Sequence, residues 1–408
     1  MTTSYPRSKI KVVLLEGIHP RAVELLEREG FTVEHHKKAL AGAELVAAAG
    51  DAHLVGIRSK TTLTAEFFEQ APRLWGVGCF CIGTNQVDLS AAADRGVAVF
   101  NAPFSNTRSV AEITIAEIVA LNRGMFERSA QMHRGAWVKS AAGFHEVRGR
   151  TLGLVGYGRI GSQVSVLAES MGMRVVFFDV ADRLPLGNAE AVKSLDELLE
   201  RADVVSLHVP STAGTRGMIG SAQLARMRDG ALLINNARGD VVDVDALAAA
   251  LRGKKLAGAA VDVFPEEPEH NDQPFESPLR GIENVILTPH IAGSTEEAQR
   301  NIGEETATKL ARFMNNGTTA TSVNVPEVEL PVLHPGNHRV LHYHRNVPGV
   351  LSKMHGLMAE LGVNITAEYL QSNPRHSYVI IDMEPIEGDR VKQGLRSIPE
   401  TIRVRELW

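Results

Sequence analysis

Cysteine and aromatic side chains are scarce in this sequence: the 408 residues include two cysteines, and Phe, Trp and Tyr together make up 5%. Cys79 and Cys81 are separated by one residue within an apolar run, so we predict that they are small core residues of a strand. There is no second cysteine pair to complete a zinc site, and two cysteines cannot build a disulfide framework. We therefore predict that the protein holds no metal.

Long hydrophobic runs and an excess of basic charge are also missing. No run reaches the roughly 18 apolar residues that indicate a membrane span, and the N-terminus lacks the apolar segment of a signal peptide. The net charge of −5 does not favour general nucleic-acid binding, which needs a basic face. We predict a cytoplasmic protein without membrane or nucleic-acid partners, in which local cations must capture any anionic substrate.

Short apolar runs alternate with helical patterns in the first hundred residues, and the alternation returns from about Thr151 to Thr288. Each stretch predicts a parallel sheet with helices on both faces, so the fold class is α/β with two doubly wound domains. Between them, the pattern from about Ser109 to Met132 predicts one long helix. Ser294 and Glu297 have the spacing of a capping box, which predicts that another helix begins at Ser294.

The last seventy residues follow a different order. From Arg339 onward the pattern is strand, helix, strand, strand, helix, strand, which predicts a ferredoxin-like βαββαβ module. Pro326, Pro331 and Pro335 precede this module and indicate a linker.

The strongest local motif is Gly156-Tyr157-Gly158-Arg159-Ile160-Gly161, which follows an apolar strand and opens a helix. In this G-x-G-x-x-G fingerprint the glycines permit the turn, the close approach of the backbone to a pyrophosphate, and tight packing of helix against strand. Asp179 ends the next strand at the position of the acid that binds the ribose hydroxyls of NAD and disfavours NADP. The motif predicts NAD binding.

Three residue types needed for oxidation of a 2-hydroxy acid occur after later strands of the second sheet. A histidine such as His290 can take the hydroxyl proton. A carboxylate such as Glu267 can hold that histidine in the correct tautomer. An arginine such as Arg238 can bind the substrate carboxylate through two hydrogen bonds.

The segments GYGRIG, NNARGDVVD, DVFPEEP and LTPHIAGST resemble the signatures of the D-isomer-specific 2-hydroxyacid dehydrogenases. The resemblance implies catalytic roles for Arg238, Glu267 and His290. It also implies a discontinuous substrate-binding domain, residues 1–104 with 294–325, into which an NAD-binding domain, residues 105–293, is inserted. A linker, residues 326–337, and a C-terminal domain, residues 338–408, complete the chain.

The resemblance also supplies the expected binding residues. For NAD these are Gly156, Gly158, Arg159, Ile160, Gly161, Asp179, His208, Pro210, Asn236, Ala237, Asp262 and Gly293. Within the family the chain is most similar to members that oxidise 3-phospho-D-glycerate in L-serine biosynthesis. Their substrate would be bound by Arg58, Ser59, Lys60, Asn106 and Lys139.

The C-terminal module resembles an ACT domain, the amino-acid sensor of biosynthetic enzymes. This likeness implies feedback inhibition by L-serine bound at His344, Asn346 and Asn364, and assembly into a homotetramer. His342 alternates with His344, so both are expected on one face of a strand. Trp137 resembles a tryptophan that inserts into the neighbouring subunit, and the alternative is a core aromatic of its own chain. We expect a chain cut near Gly336 to stay active but to lose serine sensitivity.

Two other functions are compatible with parts of the sequence. One is a glyoxylate or hydroxypyruvate reductase, which needs neither a phosphate site nor a sensor module. The other is an NADH-sensing transcriptional corepressor, which binds peptides and depends little on turnover. The C-terminal module disfavours both. The sequence does not decide whether the protein also reduces 2-oxoglutarate as a secondary substrate.

Overall fold

The computed structural model describes residues 5–268, 272–334, 336–385 and 389–407, so Pro335 of the predicted linker lies outside the described residues. The chain divides into two compact units. Residues 1–105 with 299–408 form the first unit, and residues 106–298 form the second unit.

The first unit begins with a five-stranded parallel sheet in the order β2-β1-β3-β4-β5. Its elements are β1 (Lys11–Leu14), α1 (Pro20–Arg28), β2 (Thr32–His35), α2 (Gly42–Ala49), β3 (Leu54–Ile57), α3 (Ala65–Gln70), β4 (Gly76–Cys79), α4 (Leu89–Asp94) and β5 (Ala98–Asn101). Alternate residues of β1 enter cores on opposite faces, Val12 and Leu14 on one and Val13 on the other. Both faces are therefore buried, as parallel sheets require.

The second unit contains a seven-stranded parallel sheet in the order β12-β11-β10-β9-β6-β7-β8. Its helices are α5 (Thr107–Arg123), α6 (Met125–His133), α7 (Arg159–Ser170), α8 (Leu195–Arg201), α9 (Ser221–Arg226) and α10 (Val244–Arg252). Its strands are β6 (Thr151–Val155), β7 (Arg174–Phe178), β8 (Glu190–Ala191), β9 (Val204–Leu207), β10 (Ala231–Asn235), β11 (Leu256–Val261) and β12 (Val285–Leu287). The strand order reverses direction between β6 and β9, which makes the carboxyl ends of these strands the expected ligand-binding edge.

Two helices, α5 and α6, replace the single long helix predicted from the sequence. Gly124 separates them with φ 54, and a Cβ atom there would lie 2.2 Å from Phe144 Cε1. A left-handed glycine ends a helix readily because it carries no Cβ. The apolar pattern continues on both sides of Gly124, and it therefore did not reveal this break between the two helices.

The rest of the first unit is a long helix followed by an antiparallel sheet in the order β14-β15-β13-β16. The elements are α11 (Glu296–Asn316), β13 (His338–Arg345), α12 (Val350–Glu360), β14 (Ile365–Ser372), β15 (His376–Met383), α13 (Arg390–Arg396) and β16 (Thr401–Leu407). This is the predicted βαββαβ module, and the predicted fold class is confirmed.

The antiparallel sheet has two covered faces. On one face, Val340 and Val379 pack with residues of α12 and α13. On the other, Tyr343 and Tyr378 share a core cluster with Phe313 of α11. The module is therefore continuous with the core of the N-terminal sheet.

The start of α11 differs from the prediction. The helix begins at Glu296, and Thr295 Oγ1 accepts a hydrogen bond from the Ala298 amide at 3.1 Å. Thr295 is thus the N-cap, and the capping box predicted from Ser294 and Glu297 is wrong by one position. None of the helices in the described residues is long and apolar enough to span a membrane.

Candidate active site

The glycine loop after β6 has the shape that the fingerprint predicted. Gly156 has φ 94, and a Cβ on it would lie 2.5 Å from the His208 carbonyl oxygen. A Cβ on Gly161 would lie 2.2 Å from the Gly156 carbonyl oxygen, so helix and loop pack too closely for any other residue. Around Gly158, in contrast, a Cβ would meet nothing within 4 Å. The space above Gly158 at the start of α7 can admit a pyrophosphate, which the dipole of a helix N-terminus favours.

Asp179 closes one side of this loop. Its carboxylate accepts hydrogen bonds from the Tyr157 amide (2.8 Å) and the Ala181 amide (2.9 Å). Burial opposes its charge, but these hydrogen bonds and nearby Arg183 outweigh burial, so the pKa of Asp179 lies below its ordinary value. A charged carboxylate is thus available to ribose hydroxyls, as NAD requires.

His208 follows β9 on the other side of the loop. Burial lowers the pKa of its imidazole to about 4, so the ring is neutral at neutral pH. Its Nε2 lies 3.0 Å from Ser206 Oγ, and its buried Nδ1 has no hydrogen-bond partner among the described residues. Nearby, the Pro210 carbonyl accepts a hydrogen bond from Thr215 Oγ1 at 2.6 Å. The residues around the loop therefore fit a dinucleotide.

Glu267 and His290, predicted from separate motifs, are in direct contact: His290 Nδ1 lies 2.8 Å from Glu267 Oε2. Glu267 Oε1 also accepts a hydrogen bond from the Phe264 amide at 3.0 Å. The hydrogen bond to Glu267 outweighs burial and raises the pKa of His290. For Glu267, burial is outweighed by the hydrogen bonds from His290 and Phe264, and the pKa of the carboxyl is lowered. The pair is a histidine oriented by a carboxylate.

Asp262 holds the loop that carries His290. It is buried, and its two oxygens accept hydrogen bonds from Thr288 Oγ1 (2.6 Å), the Ile291 amide (2.8 Å) and the Ala292 amide (2.9 Å). The His290 amide donates to the Asp262 carbonyl at 2.9 Å, and His290 itself has φ 52. Asp262, expected to contact the cofactor, therefore also fixes the unusual backbone of His290.

Arg238 extends from the loop after β10. The Asn235 side chain shapes this loop, accepting from the Ala237 amide and donating to the Arg238 carbonyl, both at 3.1 Å. The positive charge of Arg238 acts on both groups: it contributes to the lowered pKa of Glu267 and offsets part of the rise in the pKa of His290, so the three predicted catalytic groups interact electrostatically.

Two of the other expected binding residues have buried side chains. The Asn236 side chain turns into α5 and donates to Thr114 and Glu117. Asn106 lies against the loop that follows His290, since a Cβ on Gly293 would be 2.2 Å from Asn106 Nδ2. Asn106 therefore lies beside the loop that carries His290, and its contact with the substrate stays a prediction.

In the first unit, the carboxylate of Glu16 organises the segment that contains Arg58, Ser59 and Lys60. It accepts hydrogen bonds from the amides of Arg58 (3.0 Å), Lys60 (3.0 Å) and Thr61 (2.8 Å). Within the described chain neither the Arg58 nor the Lys60 side chain forms an ion pair, so both cations are available to an anion. Sequence reasoning missed Glu16, whose signal was an acid directly after the first apolar strand.

Lys139 and Trp137 lie on the surface of the second unit. Trp137 is 79% exposed and therefore is not a core aromatic of its own unit. Such exposure of a large aromatic ring is typical of a residue that another chain covers.

The residues predicted to bind serine lie at the ends of β13 and β14. His344 Nδ1 donates to the Arg345 carbonyl at 2.8 Å, and its buried Nε2 has no partner among the described residues. Asn346 Nδ2 donates to the Asn373 carbonyl at 2.8 Å, and Asn364 Nδ2 donates to Glu384 Oε1 at 2.9 Å. The rings of His342 and His344 stack with their centroids 4.9 Å apart, but His342 is fully buried beneath α12 and is therefore an interior residue of the strand.

Comparisons with known proteins identify the family of the chain. The profile of the D-isomer specific 2-hydroxyacid dehydrogenase NAD binding domain matches residues 115–292, and that of the AHAS small subunit-like ACT domain matches residues 340–404. The chain is 54% identical to D-3-phosphoglycerate dehydrogenase from Haemophilus influenzae over 406 residues, covering 99% of each. It is 53% identical to the Escherichia coli K12 enzyme of the same name over 408 residues, again covering 99% of each.

The fold is also similar to that of a solved dehydrogenase structure. The D-lactate dehydrogenase from Aquifex aeolicus, complexed with NAD and lactic acid, aligns with a TM-score of 0.64 and 31% identity over 74% of this chain and 95% of that one.

Proposed function

The chain belongs to the D-3-phosphoglycerate dehydrogenases, and from this membership we propose that it oxidises 3-phospho-D-glycerate to 3-phosphohydroxypyruvate with NAD, the first step of L-serine biosynthesis. The chain is an NAD-dependent dehydrogenase. The contact between His290 and Glu267 carries the proposal, because it supplies the acid–base group that this reaction needs.

When bound, NAD supplies the hydride acceptor. Gly156, Gly158 and Gly161, with Arg159 and Ile160 between them, would hold its pyrophosphate, and Asp179 would bind its ribose hydroxyls. His208, Pro210, Asn236, Ala237, Asp262 and Gly293 complete the proposed cofactor contacts.

His290 accepts and returns the proton of the substrate's C2 hydroxyl group. Glu267 is charged and accepts the hydrogen bond from Nδ1, which leaves Nε2 free to take the proton of the substrate's C2 hydroxyl. In the reverse direction the protonated ring returns that proton. The raised pKa of His290 suits both tasks.

Cations bind the two anionic groups of the substrate. Arg238 would hold the carboxylate with a bidentate contact that also orients C2. Asn106 lies beside the loop that follows His290 and would contact the substrate there. Arg58, Ser59 and Lys60 of the first unit would bind the phosphate, and Lys139 would add a further cation.

The chain carries an ACT domain, which supports regulation by a small-molecule effector. We propose that this effector is L-serine, bound by His344, Asn346 and Asn364. The unpaired, buried Nε2 of His344 supports a polar ligand at this place, because such an atom is costly without a partner. We propose that the protein is a cytoplasmic homotetramer in which a neighbouring subunit covers Trp137. We also propose the boundaries given above for the substrate-binding domain, the NAD-binding domain, the linker and the ACT domain.

Turnover of the purified chain tests the proposal. We expect NAD-dependent oxidation of 3-phospho-D-glycerate, inhibited by millimolar L-serine, and weaker reduction of glyoxylate and hydroxypyruvate. Reduction of 2-oxoglutarate is measured in the same assay. The Asn346→Ala variant should weaken inhibition while uninhibited turnover stays the same. Preference for glyoxylate or hydroxypyruvate, or NADH binding without turnover of any of these acids, would contradict the proposal.

A further inference from the structure

A buried carboxyl group in the second unit has no part in the mechanism described above. Glu117 lies on α5 and is 4% exposed, and no cation pairs with it in the described part of the chain. Burial raises its pKa to about 7, and the negative charge of Asp262 acts in the same direction. A buried acid without a cation destabilises a fold unless its hydrogen bonds offset the loss of hydration, so its contacts are informative.

Within the described residues, the Glu117 side chain makes one hydrogen bond, and that bond leads to the predicted active-site loop. Its Oε2 accepts from Asn236 Nδ2 at 2.7 Å. The other hydrogen of the Asn236 amide goes to Thr114 Oγ1 at 3.0 Å, and the Thr114 hydroxyl donates to the Val110 carbonyl at 2.8 Å. Thr114 and Asn236 are buried as well. Two buried polar residues of α5 therefore bind one loop side chain.

Asn236 lies two positions before Arg238, in a short segment that is held from two sides. Asn235 bonds to the backbone of Ala237 and Arg238, and Asn236 is held by α5. Arg238 Nη1 in turn donates to the Ala237 carbonyl at 2.6 Å, so the direction of the guanidinium depends on this backbone. A shift of the loop would move the group that binds the substrate carboxylate.

We propose that Glu117 is a positioning residue for Arg238: its carboxyl holds Asn236 against α5 and thereby fixes the loop from which Arg238 extends. The inference rests on the proposed function, because it takes Arg238 as the group that binds the substrate carboxylate. An apolar residue at position 117 would leave the buried Asn236 amide short of an acceptor, and the loop would relax to satisfy it.

Two substitutions at Glu117 separate positioning from packing. Glu117→Leu keeps the approximate volume and removes the acceptor, whereas Glu117→Gln keeps an acceptor oxygen for Asn236. We expect Glu117→Leu to raise the KM for 3-phospho-D-glycerate and to lower kcat/KM by about 10- to 100-fold, the scale of a misplaced substrate group. The KM for NAD should rise by a smaller factor, because Asn236 and Ala237 are two of the twelve proposed cofactor contacts and the other ten lie outside this loop. Glu117→Gln should recover most of kcat/KM.

Asn122→Leu is the matched control. Asn122 is a buried amide of the same helix that donates to the Ile118 carbonyl at 2.7 Å and forms no side-chain hydrogen bond with the loop. This variant should lower the melting temperature without raising the KM for the hydroxy acid. The double variant Glu117→Leu with Asn236→Ala should lower kcat/KM for 3-phospho-D-glycerate no further than the more damaging single variant does. Both substitutions remove the same contact between Glu117 and Asn236.

The outcomes are distinct. A folded Glu117→Leu variant with the parental KM for 3-phospho-D-glycerate overturns the inference, as does an equal rise of this KM in Asn122→Leu. If Glu117→Leu does not fold, Asn236→Ala tests the same contact from the loop, and an unchanged KM there also overturns it. Failure of the parent chain to oxidise 3-phospho-D-glycerate would instead contradict the proposed function.

Discussion

Three ionisable side chains of the second unit differ in protonation because their immediate surroundings differ. His290 lies beside a charged carboxylate, and its pKa is raised. His208 is enclosed without an acid, and its pKa falls to about 4. Glu117 is enclosed without a base, and its pKa rises to about 7. At neutral pH only His290 combines partial exposure with a pKa suited to proton exchange, which distinguishes it from the other two groups.

Replacing Glu267 by Gln should shift the pH profile of the oxidation. The reaction needs neutral His290, so the rate rises as the pH increases through the pKa of His290. Glu267 raises that pKa, and Glu267→Gln should therefore move the acidic limb of kcat/KM to lower pH and reduce the plateau, because the ring loses its orienting charge. The profile is measured in both proteins. A limb at the same pH, or at higher pH, would be evidence against the pair.

Removing the imidazole should abolish most of the turnover. We expect His290→Ala to lower kcat by about 10²–10⁴-fold, the contribution of a positioned acid–base group. NADH affinity, followed by fluorescence titration, should be nearly unchanged. His355→Ala is the control, because the His355 side chain forms a hydrogen bond with Glu368 on the surface of the C-terminal module. Near-parental turnover in His290→Ala would remove this histidine from the mechanism.

Asp179 should determine the choice between NAD and NADP. Its charge would repel a 2′-phosphate, so the parent chain should strongly prefer NAD, and Asp179→Ala should narrow the ratio of kcat/KM values for the two cofactors. Arg183, 3.4 Å from Asp179 Oδ2, would then be free to pair with the phosphate. Asp182→Ala, at an exposed neighbouring position, should leave the ratio unchanged. Equal use of both cofactors by the parent would contradict this role.

At the scale of elements, the N-termini of two helices mark where loops of the predicted active site end. The first turn of α7 approaches the glycine loop so closely that only glycine fits at position 161. The first turn of α11 follows the loop that carries His290, and its cap, Thr295, also lies 2.9 Å from Ser109 of α5 through the two hydroxyl groups. The Thr295 side chain thus caps the N-terminus of α11 and also contacts α5.

The position of this cap can be tested by unfolding. Thr295→Ala should destabilise the protein by about 1 kcal/mol, the usual cost of losing an N-cap hydroxyl. Ser294→Ala, at the position that the sequence pattern favoured, should have a smaller effect because Ser294 does not cap the helix. Urea unfolding of both variants measures the difference. Equal losses, or a larger loss for Ser294→Ala, would show that the helix begins earlier than described.

At the scale of the whole molecule, the C-terminal module is tied to the N-terminal sheet of the first unit. The guanidinium of Arg339 pairs with Asp382 inside the module and also donates to the carbonyls of Asn316 and Pro331, both at 3.1 Å. Arg375 forms a bidentate pair with Asp94 of α4. The turn that holds Asn346 is therefore bonded to a helix of the N-terminal part.

This attachment changes the expectation for a shortened chain. Cutting near Gly336 would expose Phe313 and its neighbours, which share a core with Tyr343 and Tyr378. We therefore expect the shortened chain to melt at a lower temperature than the full chain, in addition to losing serine sensitivity. Calorimetry of both chains measures this. Equal melting temperatures would mean that the shared core contributes little to stability.

The features predicted correctly from the sequence depend on neighbours in the chain. The glycine loop follows from a strand, three glycines and a helix within about twenty residues, and the βαββαβ module follows from the order of its apolar runs. Arg238, Glu267 and His290 could also be proposed from the sequence, because each lies in a short motif after a strand, and their catalytic roles stay a prediction.

Other features depend on contacts between residues far apart in the chain, which no local pattern encodes. Glu16 meets the segment around Arg58, Glu117 meets Asn236, and Asn106 meets Gly293 only after the sheets have formed. The burial of His342 and the sharing of one core by two sheets likewise depend on which faces pack together. Hydrophobic attraction has no direction, so the final pairings arise from the shapes and hydrogen bonds of the packed elements.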